Sequence, residues 1–403
     1  MLVRTILVIS VLVMLATATF ANTLVRTSST NSPQAVPSPT PTPLANASAA
    51  DDPAKSDKTT DDDAKRKKKK RGTFIPAPIP ITSPTFGSGI ILGLGYVFQI
   101  KESDKLSPPS TIGGAVAFTN SGTRGAGIGA NLNFGENKYK TTFAIGKGRA
   151  SYDFYGVGRR PGQPAVSVRL NQSGGVFFAE FMRNVWKDVF IGPRYQYRKL
   201  TVHVGGTPDP GGFVVPTIDL ASTTASLGFH IERDLRDSSF YPTKGSVWAV
   251  KADFFAKPLG SNRTYQVYKA EYNGYHQIGK KQVLAYRGSI CSVSDRAPFF
   301  DLCLFGSNSD LRGYTTGQFQ NHRMFATQIE YRRELPYRLG IVGFVGVGGV
   351  ARYWKEFRIN ELLPAGGVGL RFKLDKKNHI NYRIDWGYGR AGHTLSMSVT
   401  EAF

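Results

Sequence analysis

Cysteine, histidine and long apolar runs are scarce in this sequence. It has 2 cysteines and 6 histidines in 403 residues, and neither residue type shows the spacing of a metal site. Beyond the first residues, apolar stretches such as 340–351 are broken by glycine and are shorter than the roughly 20 residues of a spanning helix. We therefore expect no metal, no cofactor and no helical membrane span, which leaves spanning strands of about 10 residues open.

Enzyme motifs are missing as well. The Gly-x-Ser-x-Gly elbow of a lipase-like hydrolase does not occur. The glycines around Gly346 lie on a predicted strand that no helix follows, unlike a dinucleotide-binding turn. Asp234 and Asp237 could be read as paired catalytic carboxylates, but no cleft or base partner accompanies them. The sequence therefore predicts a protein that is not an enzyme.

Acidic residues are few relative to basic ones. The chain has 51 Lys and Arg against 29 Asp and Glu, a formal charge of +22. In a cytosolic protein this balance would indicate nucleic acid. Here the basic residues are spread along predicted strands, and the first residues indicate export. We expect no nucleic-acid partner, and instead the anionic phosphates of outer-membrane lipids.

Residues 1–21 are typical of a secretory signal peptide. Arg4 supplies the positive flank, residues 6–15 the apolar stretch, and residues 19–21 a cleavage site before Asn22. The alternative, a transmembrane anchor, would need a longer apolar run.

Residues 22–72 are predicted to form a disordered leader rich in proline, serine, threonine and charge. An acidic run at 61–63 precedes an unbroken basic run at 65–71. Low hydrophobicity with blocks of like charge prevents a packed core. Two interpretations of the basic run remain open, namely binding to anionic lipid headgroups and a merely solubilising tail.

Residues 73–403 are predicted to form an all-β, transmembrane antiparallel β-barrel. In its last segment, Leu395, Met397 and Val399 share one face while serine and threonine occupy the other, as in a strand with lipid outside and lumen inside. A soluble β-sandwich array would share this composition, but the export signal and the segment lengths disfavour it. The alternating segments are 87–99, 111–120, 125–135, 138–148, 166–185, 189–203, 220–233, 245–255, 265–278, 282–293, 324–335, 339–353, 364–374, 379–390 and 394–403.

The predicted number of strands is about sixteen. Ten segments precede the long loop that follows residue 293, if 166–185 is one strand, and five come after it. Both chain ends should be periplasmic, which requires an even total. The region 148–185 is therefore expected to hide one more strand, with a split at Gly174-Gly175.

The long loop contains the sequence Leu311-Arg312-Gly313-Tyr314. It resembles the Val-Arg-Gly-Phe/Tyr motif of the BamA and TpsB superfamily of outer-membrane barrels, also called bacterial surface antigen barrels. The resemblance covers residues 73–403. It implies that the loop folds back into the lumen and that its arginine pairs with acidic residues on the inner wall, because a guanidinium in a partly dry lumen must be paired.

Glu330 is the expected acidic partner of Arg312. It matches one acidic position that the family places on the strand after the loop. The second family position lies in a Phe-x-Asp-x-Gly pattern, and in this sequence Gly346 replaces the aspartate. We therefore predict Glu330 as the main partner.

A second motif also carries the resemblance. Asp234, Arg236 and Asp237, followed by Pro242 and Gly245, are similar to the family's Asp-x-Arg-Asp and Pro-x-x-Gly signature. We predict a periplasmic turn in which the carboxylates and the arginine pair with each other, with Pro242 and Gly245 shaping the backbone.

Two further predictions concern residues near the end of the chain and near the loop. Phe403 ends an alternating strand and resembles the terminal aromatic that serves as an assembly signal in bacterial outer-membrane strands, with Glu401 expected on the outward face near the rim.

Cys291 and Cys303 lie in an oxidising compartment if the chain is exported. A disulfide between them and two unpaired thiols remain open alternatives.

The resemblance implies a function at the bacterial outer membrane. Members that fold other barrels or secrete proteins carry periplasmic POTRA domains, and residues 22–72 hold no pattern for one. The expectation is a POTRA-lacking barrel that assists insertion or transport of polypeptides or lipids, with a periplasmic partner in place of the POTRA domains. A passive pore or structural surface barrel is the alternative.

Overall fold

The computed structural model describes residues 72–403 except 84, 164–165, 205–217, 239, 307–309 and 376–378. The predicted signal peptide and nearly all of the predicted leader lie outside the described residues. Within them, no helix is both long and apolar enough to cross a membrane. The described chain forms one closed antiparallel barrel of sixteen strands and a separate two-stranded ribbon, which confirms the predicted fold class.

The barrel strands follow one another around the wall in chain order. Each pairs with the next, and β11 pairs with β14 because the ribbon strands β12 and β13 lie between them in the sequence. The strands are β1 Gly72–Ser83, β2 Gly87–Phe98, β3 Ser110–Thr119, β4 Arg124–Phe134, β5 Tyr139–Phe154, β6 Val168–Trp186, β7 Val189–Val204, β8 Ile218–Asp234, β9 Gly245–Phe255, β10 Tyr265–Gly279, β11 Gln282–Val293, β12 Cys303–Leu304, β13 Gln320–Asn321, β14 Arg323–Glu334, β15 Leu339–Ala351, β16 Leu363–Asp375, β17 Ile380–Gly389 and β18 Gly392–Val399.

The two ends of the barrel differ in their connections. At one end, strands are joined by two-residue turns such as 187–188 and 280–281. Lys187 and Asp188 both have positive φ, at 39° and 66°, the backbone that a tight hairpin of twisted strands favours. The opposite end carries 155–167 and the 294–322 segment. We call these the short-turn end and the long-loop end. Residues 72 and 403 both lie at the short-turn end.

The first strand of the barrel is β1, and the prediction that 87–99 is the first strand is wrong. β1 pairs with β2 along its whole length, from Gly72 opposite Phe98 to Ser83 opposite Gly87. Gly72 therefore belongs to the barrel and not to the leader. Prolines at alternate positions hide β1 in the sequence, because proline normally argues against a strand.

The total of sixteen strands is confirmed, but the hidden strand is not where it was expected. Residues 168–186 form the single strand β6, which passes through Gly174 and Gly175 without a split. β5 extends beyond the predicted 138–148 to Phe154. The sixteenth strand is β1.

The wall separates apolar outward side chains from polar inward ones. On β14, Ile329 is 52% exposed on the outer surface, whereas Glu330 is fully buried on the inside. On β16, Val368 and Leu370 are each 60% exposed on the outer surface. Arg371, which follows Leu370 and points inward, is 3% exposed. This alternation follows from the two-residue period of a strand, and it gives the barrel an apolar outer surface around a charged lumen.

A pair of truncations tests the assignment of β1. Removing residues 22–71 should leave a barrel that still folds in detergent, because all sixteen strands remain. Removing residues 22–83 should abolish folding, because β2 loses its partner along its full length. The measurement is heat-modifiable migration and protease resistance on cold gels. Equal folding of both truncations would show that β1 is not part of the wall.

Candidate functional site

The segment between β11 and β14 enters the barrel and fills its long-loop half. We call residues 294–322 the lumen loop. Its side chains Phe305 and Leu311 are fully buried and Phe319 is 1% exposed. The short strands β12 and β13 pair within it. An apolar loop core packed against the inner wall excludes water from the charged groups around it, which strengthens their interactions.

Arg312 at the tip of the lumen loop contacts two carboxylates of the wall. Its guanidinium donates to Glu330 on β14, and its Nη1 lies 3.0 Å from Oδ2 of Asp385 on β17. The guanidinium carbon stands 3.6 Å from the centroid of the Phe344 ring. The structure thus brings together the predicted pair Arg312 and Glu330, and it adds a second acidic partner.

Asp385 is the partner that the sequence analysis missed. The family pattern places an aspartate at position 346, on β15, where this chain has glycine. A Cβ on Gly346 would stand 2.6 Å from Cδ1 of Leu311, so the glycine makes room for the loop. The second carboxylate comes instead from β17. An available signal was that Asp385 lies between the outward residues Ile384 and Trp386, which places it in the lumen.

The two carboxylates belong to a larger acid–arginine network in the wall. Arg371 binds Asp385 at 2.7 Å and Glu401 at 2.7 Å, Arg383 binds Asp385 at 2.8 Å, and Arg332 binds Glu330 at 2.5 Å. The network comprises Arg312, Arg332, Arg371, Arg383, Glu330, Asp385 and Glu401. Four arginines share three carboxylates, which leaves one positive charge in excess. Arg332 also lies 4.0 Å from Glu401, so each carboxylate keeps a neighbouring arginine if one arginine is removed.

Glycines on the inner wall form a cradle for the loop tip. A Cβ on Gly387 would stand 2.7 Å from the main-chain nitrogen of Gly313, and one on Gly389 would stand 2.5 Å from the Tyr314 ring. Gly313 itself has φ of +110°, a conformation that residues with side chains rarely adopt. The Arg-Gly-Tyr sequence thus fits a wall that lacks side chains at the matching positions.

The lumen loop is also held by the opposite wall. Both oxygens of the Asp301 carboxylate accept from Arg198 on β7, at 2.9 and 2.8 Å, and the Tyr265 hydroxyl on β10 also donates to this carboxylate. Arg287 on β11 lies 3.3 Å from Asp310. These ionic contacts place the loop between two walls. Sequence reasoning missed them because they join residues far apart in the chain.

Two further links fix the loop to neighbouring strands. Cys291 on β11 and Cys303 on β12 are joined by a disulfide, with their Cα atoms 5.7 Å apart. The Tyr314 hydroxyl donates to the carbonyl of Pro364 at 2.6 Å and accepts from the main-chain N–H of Arg390 at 3.1 Å. All four residues of the Leu311–Tyr314 motif are buried, and Arg312, Gly313 and Tyr314 form hydrogen bonds with the wall.

The second motif forms a turn at the short-turn end. Arg236 makes a forked contact with Asp234, at 2.9 and 2.7 Å. The carboxylate of Asp237 accepts from the main-chain N–H and the hydroxyl of Thr243. Gly245 has φ of +91°, and Pro242 is buried in the same turn. The turn joins β8 to β9, and these contacts hold its backbone.

The end of the chain does not follow the predicted alternating strand. β18 ends at Val399, and Thr400 has φ of +72°, which turns the chain into the lumen. Glu401, expected on the outward face, accepts there from Arg371 and from Asn381 at 2.8 Å. The Phe403 carbonyl accepts from Arg332 at 3.0 Å. A role of Phe403 as an assembly signal stays a prediction.

Comparisons with known proteins agree with this architecture. The model of the Omp85 superfamily domain matches residues 111–389. Among curated proteins, none matches this chain by sequence. Among solved structures, BamA from Haemophilus ducreyi lacking POTRA domains 1–3 is similar, with 13% identity, a TM-score of 0.53, and coverage of 82% of this chain and 69% of that one.

Two CdiB structures are also similar in fold. CdiB from Acinetobacter baumannii has 11% identity and a TM-score of 0.51, with 81% of this chain and 59% of that chain covered. CdiB from Escherichia coli has 10% identity and a TM-score of 0.52, with 82% and 62% covered. The chain thus spans less than two thirds of the length of either CdiB. At these identities the likeness concerns the fold.

Replacing Arg312 tests the ionic anchor of the loop. Arg312→Ala should lower the free energy of unfolding by about 3 kcal/mol, the lower end for a broken buried ion pair, because Glu330 and Asp385 each keep another arginine. Arg312→Lys should lose less, since it keeps the charge but not the forked geometry. The measurement is urea unfolding in detergent.

The control is Arg352→Ala, at a loop side chain that is 59% exposed, where the change should stay within about 0.5 kcal/mol. Equal losses at the two arginines would contradict the anchor. Additive effects of Arg312→Ala and Glu330→Ala would show that these two residues do not interact.

A second prediction concerns the glycine cradle. Gly387→Ala should displace the loop tip and cost about 1–3 kcal/mol, as overpacked sites do, because its new methyl group meets the backbone of Gly313. Gly343→Ala on β15 is the matched control, since a Cβ there meets nothing within 4 Å. Limited proteolysis of the lumen loop and urea unfolding report the two effects. Equal behaviour of the two variants would rule out a close contact at Gly387.

Proposed function

This chain belongs to the Omp85 superfamily, and from that membership we propose that it assists the insertion or transport of polypeptides or lipids at a bacterial outer membrane. It is a barrel similar to BamA and CdiB, which suggests an assembly or translocation role. The proposed role includes no chemical reaction.

The observation that carries this proposal is the anchored tip of the lumen loop. Arg312 is 2% exposed and lies against the carboxylates of Glu330 and Asp385. The resemblance to BamA and TpsB barrels implies that the arginine of the Leu311–Tyr314 motif pairs with two acids of the wall. Arg312 does so here, although its second acid, Asp385, comes from β17 and not from β15. Because both carboxylates belong to the wall, they fix the position of the loop tip inside the barrel.

The same loop disfavours a passive pore as the main function. It spans the long-loop half of the lumen, from Arg198 on β7 to Asp385 on β17. Its apolar core, including Phe305 and Phe319, is buried there. The loop thus takes up space that an open pore would need, and the buried ion pairs oppose its movement out of the lumen.

The proposed partners follow from the surfaces of the barrel. The apolar outer wall, with side chains such as Val345 at 61% and Leu370 at 60% exposure, suits contact with lipid chains. With the short-turn end in the periplasm, both described ends of the barrel chain would face that compartment. Polypeptide or lipid clients, and a periplasmic partner that delivers them, would reach the barrel from this side.

Reconstitution in liposomes tests the proposal against the pore alternative. Liposomes that hold the protein should fold a urea-unfolded test barrel faster than liposomes that hold an equal amount of an unrelated outer-membrane barrel. Their conductance should be low, and Arg312→Ala should raise it because the loop anchor is lost. High conductance of the unaltered protein, without faster folding, would instead establish the passive pore.

A further inference from the structure

The outer surface of β4–β7 changes from apolar to basic along three neighbouring rows of side chains. A row here is a set of outward residues that lie directly opposite one another on successive strands. Each row lies two residues nearer the long-loop end than the row before it. From β4 to β7, the apolar row is Ile128, Ile145, Phe177 and Tyr197, the lysine row is Ala126, Lys147, Gly175 and Lys199, and the arginine row is Arg124, Arg149, Ser173 and Thr201.

The lysine row places two ammonium groups on either side of a residue without a side chain. Lys147 on β5 and Lys199 on β7 both lie opposite Gly175 on β6. Neighbouring strands are about 4.8 Å apart, so the backbones of the two lysines are about 10 Å from each other. A Cβ on Gly175 would meet one atom within 4 Å, the main-chain oxygen of Gly146 at 3.5 Å. The space above Gly175 is therefore open to an anion that both lysines can reach.

The arginine row adds two positive charges that face each other. Arg124 on β4 and Arg149 on β5 are directly opposite, and like charges in that position destabilise a strand pair. Arg149 also follows Lys147 by two residues on the same face of β5. An anion bound among these groups would offset their repulsion. We call the four exposed side chains of Arg124, Lys147, Arg149 and Lys199 the basic patch.

Carboxylates of the chain do not neutralise the basic patch. Asp153 and Asp219, which lie farther toward the long-loop end, are bonded instead to Arg169 and His203. Within the part of the chain that the structure describes, no carboxylate lies at ion-pair distance from any of the four basic side chains. The patch thus presents four uncompensated positive charges on the outer surface of the barrel.

The basic patch borders an apolar groove on the same outer surface. The groove has a volume of about 900 Å³ and extends across β2–β7. Its apolar lining includes Leu94, Ile128 and Ile145, which are 54%, 57% and 45% exposed. Among the described residues, the charged ones that line it are Lys147 and Lys199, at its edge toward the long-loop end. An apolar groove with positive charge along one edge fits an amphiphile whose head is an anion.

The change from apolar to basic marks the level of the lipid headgroups. On β5, the outward residues Phe143 and Ile145 precede Lys147. On β7, Tyr197 precedes Lys199, and tyrosine is enriched where a membrane meets water. The basic patch therefore lies at the depth of the phosphate groups in the leaflet at the long-loop end, and the groove lies at the depth of the acyl chains.

We propose that the basic patch and the groove together bind an anionic lipid of this leaflet. A phosphate lies above Gly175 between Lys147 and Lys199, and an acyl chain occupies the groove. Arg124 and Arg149 contact further oxygens of the same head, through charge-assisted hydrogen bonds. Four positive charges match a head with two phosphates better than a head with one. This inference goes beyond the proposed function, because the bound lipid belongs to the wall whether or not the barrel assists insertion.

Native mass spectrometry of the full-length protein in a non-ionic detergent tests the charged contacts. The probe is diphosphoryl lipid A. Lys147→Gln with Lys199→Gln should weaken its binding about thirtyfold, since each basic residue near an anionic head accounts for a factor of about five. The control, Lys257→Gln with Lys355→Gln, removes the same charge from exposed side chains at the same end of the barrel. Its affinity should stay within about twofold of the unaltered protein, and equal weakening by the two double variants would overturn the proposal.

Two further probes separate the phosphate from the acyl chains. Lipid A with both phosphates removed should bind weakly to the unaltered protein, and equal binding of the two lipids would show that no phosphate is recognised. Inorganic phosphate in excess should displace the diphosphoryl lipid no better than sodium chloride of equal ionic strength, because it cannot fill the groove. Stronger displacement by phosphate would indicate an anion site without a lipid and would refute the assignment.

Blocking the space above Gly175 tests the position of the phosphate without changing any charge. Gly175→Val should weaken binding of diphosphoryl lipid A at least about fivefold, the factor for losing one of the two lysine contacts. Gly343→Val is the matched control, since it adds the same side chain to the outer surface of β15, where a Cβ meets nothing within 4 Å. Unchanged binding by Gly175→Val, or equal losses in both variants, would contradict the placement. These binding measurements do not involve assisted folding in liposomes, so they can fail while the proposed function stands, and the reverse.

Discussion

Arg312 is 2% exposed inside the barrel, where a guanidinium without a counter-ion would be very costly. Its two carboxylates come from β14 and β17, and both are shared with other arginines of the wall. Each of these carboxylates is therefore held from more than one direction. Placing Arg312 in the acid–arginine network fixes the tip of the lumen loop, and the same contacts position the last described residues through Glu401.

Much of this architecture is encoded locally and could be predicted. The two-residue alternation of apolar side chains gives strand after strand, and the Arg-Gly-Tyr sequence marks the loop tip. β1 was missed because its prolines contradict the usual strand composition. The predicted split of β6 failed because Gly174 and Gly175 pair within a continuous ladder.

The missed parts of the site are long-range pairings. Asp385 lies 73 positions from Arg312, and Asp301 lies 103 positions from Arg198. The sequence shows that each charged residue faces the lumen, but the choice of partner depends on the curvature of the wall and on the path of the loop. The glycines at 346 and 387 are informative in retrospect, since each marks a place where the loop backbone or a loop side chain approaches the wall.

The attachment of the lumen loop to both walls also has a mechanical consequence. Asp301 bonded to Arg198 on one side, and Arg312 bonded to Asp385 on the other, make the loop a cross-brace of the barrel. A brace fixes the girth of the barrel at the long-loop end, whereas toward the short-turn end β18 stops at Val399 and its pairing with the described part of β1 is limited to Thr82 and Met397. The closure between β1 and β18 is therefore held more firmly at the long-loop end than at the short-turn end.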